Sequence, residues 1–306
     1  MDCEGGRVGG AGDFPVDGPW GDPVADGGVQ AAVRPRGEGR PSGLVLVGRV
    51  TSQAPSLRLL TPLASLLLAV AAVAWVGVVV LARDMVSMPG TMGLGVISFV
   101  AVWALMMAAM MLPSVTPFAS LYTRTFKDDR GWRLAGFASG YLVVWIAAAL
   151  PAYGLAWLAG RLAGGRPAAA TVLAVAIFAA CGGYQLTPLK DRCLARCRSP
   201  LGFVLKLGAY QGRSRDLRAG LYHGAFCLAC CWALMALLVA FGLMNVIAMV
   251  VLAGSVLVEK TWVWGPRFSR LLGVAALGLA LAVIFVPGLA PGLHQAPSPG
   301  GMGEMR

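Results

Sequence analysis

The forty residues AGLYHGAFCLACCWALMALLVAFGLMNVIAMVVLAGSVLV, positions 219–258, contain no Asp, Glu, Lys or Arg. As one helix they would measure about 60 Å at about 1.5 Å per residue, twice the roughly 30 Å hydrocarbon core of a bilayer. They therefore predict two antiparallel helices. Gly242 and Asn245 in FGLMN supply the turn, because both residue types tolerate turn conformations.

Five more uncharged stretches have the length of a single span: Leu59–Ala82, Leu94–Leu112, Leu134–Gly160, Ala168–Leu189 and Leu271–Leu293. The whole chain of 306 residues is 58% hydrophobic and only 13% charged. Soluble domains carry about 25% charged residues, so a soluble globular protein is excluded. The expected fold is all-α, a polytopic transmembrane helix bundle of about seven spans. The spans fall at about 59–82, 94–112, 134–160, 168–189, 219–242, 244–259 and 271–293, and the count drops to six if the short 244–259 segment is re-entrant. Residues 1–58 mix Gly, Pro, Asp and Arg without hydrophobic periodicity and read as a disordered tail. They hold no apolar signal-peptide core, and residues 294–306 read as a second loose tail.

Charge predicts the orientation, because Lys and Arg are retained in cytoplasmic loops. With the N-terminus in the cytoplasm, that side holds the basic residues of Arg7–Arg58, Arg124–Arg133, Lys190–Arg218 and Lys260–Arg270. These make 21 of the 25. The net charge of +11 then follows from topology, and no nucleic-acid partner is expected. The partner that composition does demand is the lipid bilayer.

Nothing catalytic is legible. There is no Gly-rich phosphate loop and no nucleophile elbow, and two histidines are too few for a His-based metal cage. Sulfur is what remains, as seven Cys and thirteen Met. On a helix turning about 100° per residue, His223, Cys227, Cys230 and Cys231 fall on one stripe about 100° wide. Cys193 and Cys197 in TPLKDRCLARCRSP share a face if that segment is helical, and Lys190, Arg192, Arg196 and Arg198 flank them. Neighbouring cations favour the thiolate, which is both metal ligand and nucleophile. Cys181 and Cys227 should lie at comparable depth. Met106, Met107, Met110 and Met111 end the second span on the same side. Thiolate and thioether donors favour Cu(I), while Zn(II) is also satisfied by thiolates with one imidazole. Glu259 stands at the same end, as a supporting residue, an ion-pair partner of Lys260, or an interface marker. Small residues at Gly136, Ser139, Gly140, Gly182 and Gly183 allow close helix packing.

The stretches MMAAMMLPS (106–114), GGYQLTPLKDRCLARCRSP (182–200), HGAFCLACCWALM (223–235) and GLMNVIAMVVLAGSVLVEK (242–260) occur in this order. They resemble the signatures of a bacterial family of predicted metal-binding integral membrane proteins, a domain of unknown function with some members labelled copper chaperone. The resemblance spans roughly residues 60–290. It implies metal binding in a bacterial plasma (inner) membrane, with Asn245, Tyr184, Gln185 and Trp232 as structural or supporting positions. Ala229 departs from the Gly expected within Cys-x-Gly-Cys-Cys, a change that bears on helix packing more than on ligation. A soluble metal donor or acceptor protein is the further partner expected, and oligomeric state is not legible. Two other readings stand beside copper handling: a membrane thiol–disulfide oxidoreductase, and a non-metal permease or scaffold with packing cysteines. A shortage of charged groups at mid-span argues against the permease.

Overall fold

A computed structural model of the chain describes residues 62–85, 90–124, 129–198 and 214–294. The two tails expected at 1–58 and beyond residue 294 lie outside the described residues. Every regular element among the described residues is helical. In chain order these are α1 (Pro62–Met85), α2 (Val96–Arg124), α3 (Arg130–Ala147), α4 (Ala149–Ala163), α5 (Pro167–Gln185) and α6 (Pro188–Arg198). They continue with α7 (Arg215–Phe241), α8 (Val246–Thr261) and α9 (Gly265–Phe285), followed by a short 3₁₀ turn at Pro287–Leu289.

Among the described residues six helices are long and apolar enough to cross a membrane: α1, α2, the continuous pair α3–α4, α5, α7 and α9. The segment at 244–259, expected as a short span, forms α8. At 16 residues it is about 24 Å long, below the length of a full crossing. The turn before it forms as expected. Gly242 takes φ 95°, a left-handed conformation that a side chain would resist, and Asn245 caps α8 by accepting the Ala248 N–H at 3.1 Å.

Helix ends differ from the uncharged limits wherever charge was taken for a boundary. α7 begins at Arg215 and α9 at Gly265, earlier than the Ala219 and Leu271 expected, because exposed arginines ride in a first turn without ending a helix. α9 also stops at Phe285, short of the expected Leu293, with Pro287 following. α2 runs on to Arg124 through Pro113 and Pro117. The stretch 168–189 breaks near Leu186, because the residue before a proline avoids the α region and Pro188 opens a new helix. Thr187 caps α6, its hydroxyl accepting the Lys190 N–H at 3.2 Å. The joint at Ala148 has a similar cause. The ring of Pro151 crowds the carbonyl four residues earlier, at Ala147, where α3 ends.

α7 is the hub. Two thirds of its apolar window (67%) is buried, against 22–44% in the other five candidate spans. It packs on α3, α5, α6, α4 and α8. Its tightest seam, with α3, is built without side chains. A Cβ on Gly220 would collide with the carbonyl of Phe137, and one on Gly140 with the carbonyl of Leu217. Gly182 does the same for α5 against α9, where a Cβ would collide with the carbonyl of Gly273. Such backbone contact is how helices associate where apolar burial gives no net drive.

The α3–α7 seam yields a selective prediction. Gly220→Leu forces two backbones apart and should cost at least the 1–3 kcal/mol typical of overpacking, roughly. Gly183, with nothing within 4 Å of its Cβ position, should accept Ala with no loss. Thermal unfolding of the two detergent-purified variants, followed by size exclusion, measures the difference.

Candidate metal centre

α6 lays its buried face, Lys190, Cys193, Leu194 and Cys197, on α7 and α8. α7 turns His223, Cys227, Cys230 and Cys231 inward, so all four residues of the expected stripe are buried. The two faces meet in sulfur. Cys197 Sγ lies 3.6 Å from Cys230 Sγ, and Cys230 Sγ lies 3.2 Å from Cys231 Sγ. The Cys230 thiol also donates to the Cys227 carbonyl at 3.2 Å. Cys181, Cys197, Cys227, Cys230 and Cys231 are free cysteines.

Cys227, one turn earlier, faces cationic and hydroxyl donors. The Lys260 ammonium donates to its sulfur at 2.9 Å and to Ser114 Oγ at 3.1 Å, while Tyr141 Oη lies 3.0 Å away. A thiolate is held by such neighbours in a medium where an unpaired one would be costly. His223 lies in an aromatic nest. Its ring stacks on Phe118 at 4.0 Å between centroids, with Phe137 and Tyr141 further out.

Beside the thiols lies a second buried group. Glu259 and Lys190, both with side chains wholly shielded from solvent, form an ion pair at 2.8 Å. Lys190 Nζ also donates to the Cys230 carbonyl at 2.6 Å. Gln185 Nε2 donates to the other carboxylate oxygen of Glu259 at 2.8 Å, and Ser269 Oγ in turn donates to Gln185 Oε1 at 3.3 Å. Burial alone would lower the Lys190 pKa. The Glu259 carboxylate, followed by the Cys230 and Cys231 sulfurs, instead holds it above its ordinary value, so the ammonium persists across physiological pH.

The remaining expected residues are scattered around this core. Cys181 lines an apolar cavity of about 200 Å³ with Leu155, Ile177 and Trp232. Tyr184 packs on Trp232 and donates its hydroxyl to the carbonyl of Ala229, so the position where Gly was expected serves as an anchor for α5. Met106, Met107, Met110 and Met111 are fully buried in α2, which packs on α1, α3, α4 and α8. Asn245 caps α8 at the far end of α7. The reading that paired Glu259 with Lys260 is corrected: Glu259 pairs with Lys190, and Lys260 turns to Cys227. Sequence reasoning counts Lys190 and Lys260 among the cytoplasmic basic residues and assigns Ser114 and Tyr141 no role. Only the position of both lysines against apolar runs hinted at more.

Metal–sulfur bonds of about 2.3 Å place sulfurs sharing one ion roughly 3.8–4.0 Å apart. Cys230 Sγ lies closer than that to both Cys197 Sγ and Cys231 Sγ, at 3.6 and 3.2 Å, so the sulfurs would have to part to admit an ion. Among the described residues no group of three or more His, Cys, Asp or Glu side chains is arranged to hold a metal ion. A helical bundle with six helices, among the described residues, long and apolar enough to cross a membrane defines a membrane-type protein, here with thiols buried in its hub. Residues 100–283 match the model of the PpoB2 family, described as copper chaperone, and the chain belongs to that family. The match runs from α2 into α9 and includes α6 and the thiols. No curated protein and no solved structure matches the chain.

The buried pair can be tested on its own. Lys190→Met leaves the Glu259 carboxylate uncompensated and should cost about 3–5 kcal/mol, whereas adding Glu259→Gln should recover most of it. A double-mutant cycle on thermal unfolding reads the coupling.

Proposed function

We propose that this protein resides in the bacterial inner membrane and takes Cu(I) as cargo on thiols near its cytoplasmic side, exchanging it with a soluble donor or acceptor protein. The observation that carries this reading is the meeting of Cys197 from α6 with Cys230 and Cys231 from α7. Two separate segments converge there in sulfur. Thiolates select a soft cation, and Cu(I) is satisfied by two or three of them without water. Membership of a family described as copper chaperone supports the same metal.

The proposed ligands are Cys197, Cys230 and Cys231, with Cys227 held beside them by Lys260. Cys181, His223 and the methionines of α2 are proposed as a reserve of donors around the route, whereas Cys193, expected as a ligand, is disulfide-bonded and offers no free thiolate. The N-terminus is proposed to be cytoplasmic, which keeps 21 of the 25 basic residues on that side. α8 is then proposed to return from the turn at Gly242–Asn245 toward the cytoplasmic side as a re-entrant segment. The approach of Cys197 to Cys230 also favours a second reading, thiol–disulfide exchange through that pair. Thiol trapping in intact cells separates the two: a reversible Cys197–Cys230 disulfide supports exchange, and permanently reduced thiols support copper.

Elemental analysis of detergent-purified protein from copper- and zinc-supplemented cells tests the main reading, beside the Cys227→Ser, Cys230→Ser, Cys231→Ser triple variant. The expected result is about one copper per chain, little zinc, and loss of copper in the variant. Copper absent from the wild type, or unchanged in the variant, would sink it.

A further inference from the structure

Of the three thiols that meet, only Cys197 lies outside α7. Its place therefore depends on whatever fixes α6, a helix of 11 residues. Arg196 over the Phe226 ring of α7 and the disulfide-bonded Cys193 hold its middle, and one residue of α8 reaches both of its ends. At the start of α6, Lys190 Nζ reaches the Glu259 carboxylate at 2.8 Å and the Cys230 carbonyl at 2.6 Å. At its end, directly after Cys197, Arg198 donates from its guanidinium to the Glu259 backbone carbonyl at 2.7 Å. Glu259 thus grips both ends of the helix, by its side chain at one and its main chain at the other.

The grip has a reserved space. A Cβ on Gly265 would collide with both the Arg198 guanidinium and the Glu259 carbonyl, so the bond between them exists only because residue 265 has no side chain. Lys190 also ties the start of α6 to the main chain of Cys230, the residue whose sulfur Cys197 meets. Two ligand-bearing helices are thereby locked in one register. By contrast, the other ion pair on α6, Asp191 with Arg270, is exposed and contributes little to placement.

We infer that Glu259, acting through Lys190 and Arg198, is the positioning group that brings Cys197 to the copper ion and so sets its coordination at three sulfurs instead of two. This rests on the copper reading above. Without the clamp, α6 keeps its cysteine but not its aim. The ion is then left with Cys230 and Cys231, a two-sulfur state that Cu(I) also accepts. The coordination number thus becomes adjustable by moving a single short helix.

Copper-edge X-ray absorption of the full-length Cu(I)-loaded protein in detergent, with chelator competition, tests this. Wild type should show three Cu–S bonds, and Cys197→Ser two. The double variant Lys190→Met, Glu259→Gln removes both charges together and should also show two sulfurs. Its affinity should fall by about 10–100-fold, the usual effect of losing an outer support of a metal ligand. Arg198→Gln and Gly265→Ala disturb the other end without touching the ion pair and should move the spectrum the same way, which decides the matter if the double variant elutes unfolded. Arg270→Gln should stay at three. Three sulfurs and wild-type affinity in the folded clamp variants would overturn the inference while leaving copper binding intact. A wild type that loads no copper would remove its basis altogether.

Discussion

A carboxylate and an ammonium, wholly shielded from solvent and 2.8 Å apart, stand at the junction of α6, α7 and α8. Taking such charges out of water costs several kcal/mol per ion, of the order found for buried pairs, and only close partners offset it. Each is supplied with them: Gln185 on the carboxylate, the Cys230 carbonyl on the ammonium. A hydrophobic pair of similar volume could have held the same helices. What the charged pair adds is direction, because hydrogen bonds fix an angle that apolar contact leaves free.

The sulfurs divide into two environments accordingly. Cys197, Cys230 and Cys231 face one another, with the Lys190–Glu259 pair neutralising itself alongside. Cys227 faces Lys260, which leans on Ser114 and the thiol. One end of the hub helix therefore presents a neutral sulfur nest and a cation-backed sulfur within a turn of each other. Thiolate charge left over around a bound monovalent cation would be met by Lys260.

Much of this was legible in the chain. The forty uncharged residues dictated a hairpin, and its turn fell at Gly242 and Asn245. The 100° arithmetic placed His223, Cys227, Cys230 and Cys231 on one buried face. What the arithmetic does not contain is the azimuth of neighbouring helices. His223 shares the stripe yet lands among Phe118, Phe137 and Tyr141, because α3 and α2 cover that end of α7. Cys197 was recognisable as a donor, but its meeting with Cys230 depends on a clamp made of Lys190, Arg198 and Glu259. Residues of that kind at span ends read equally well as interface markers, and single-sequence patterns cannot separate the two uses. Helix ends were missed for a related reason: charge limits an apolar run, whereas proline and caps limit a helix, as at Pro188 and Pro287.

The break at Leu186–Thr187 has one more consequence. Because Thr187 and Pro188 restart the helix, the phase of α6 is set there and counted forward, residue by residue, to Cys197. Inserting or deleting a single residue within that interval would swing the thiol by about 100° about the helix axis and away from Cys230. Side chains on its outer face, such as Arg192 and Ala195, carry no such phase information. The site is thus written less in which residues occupy α6 than in how many.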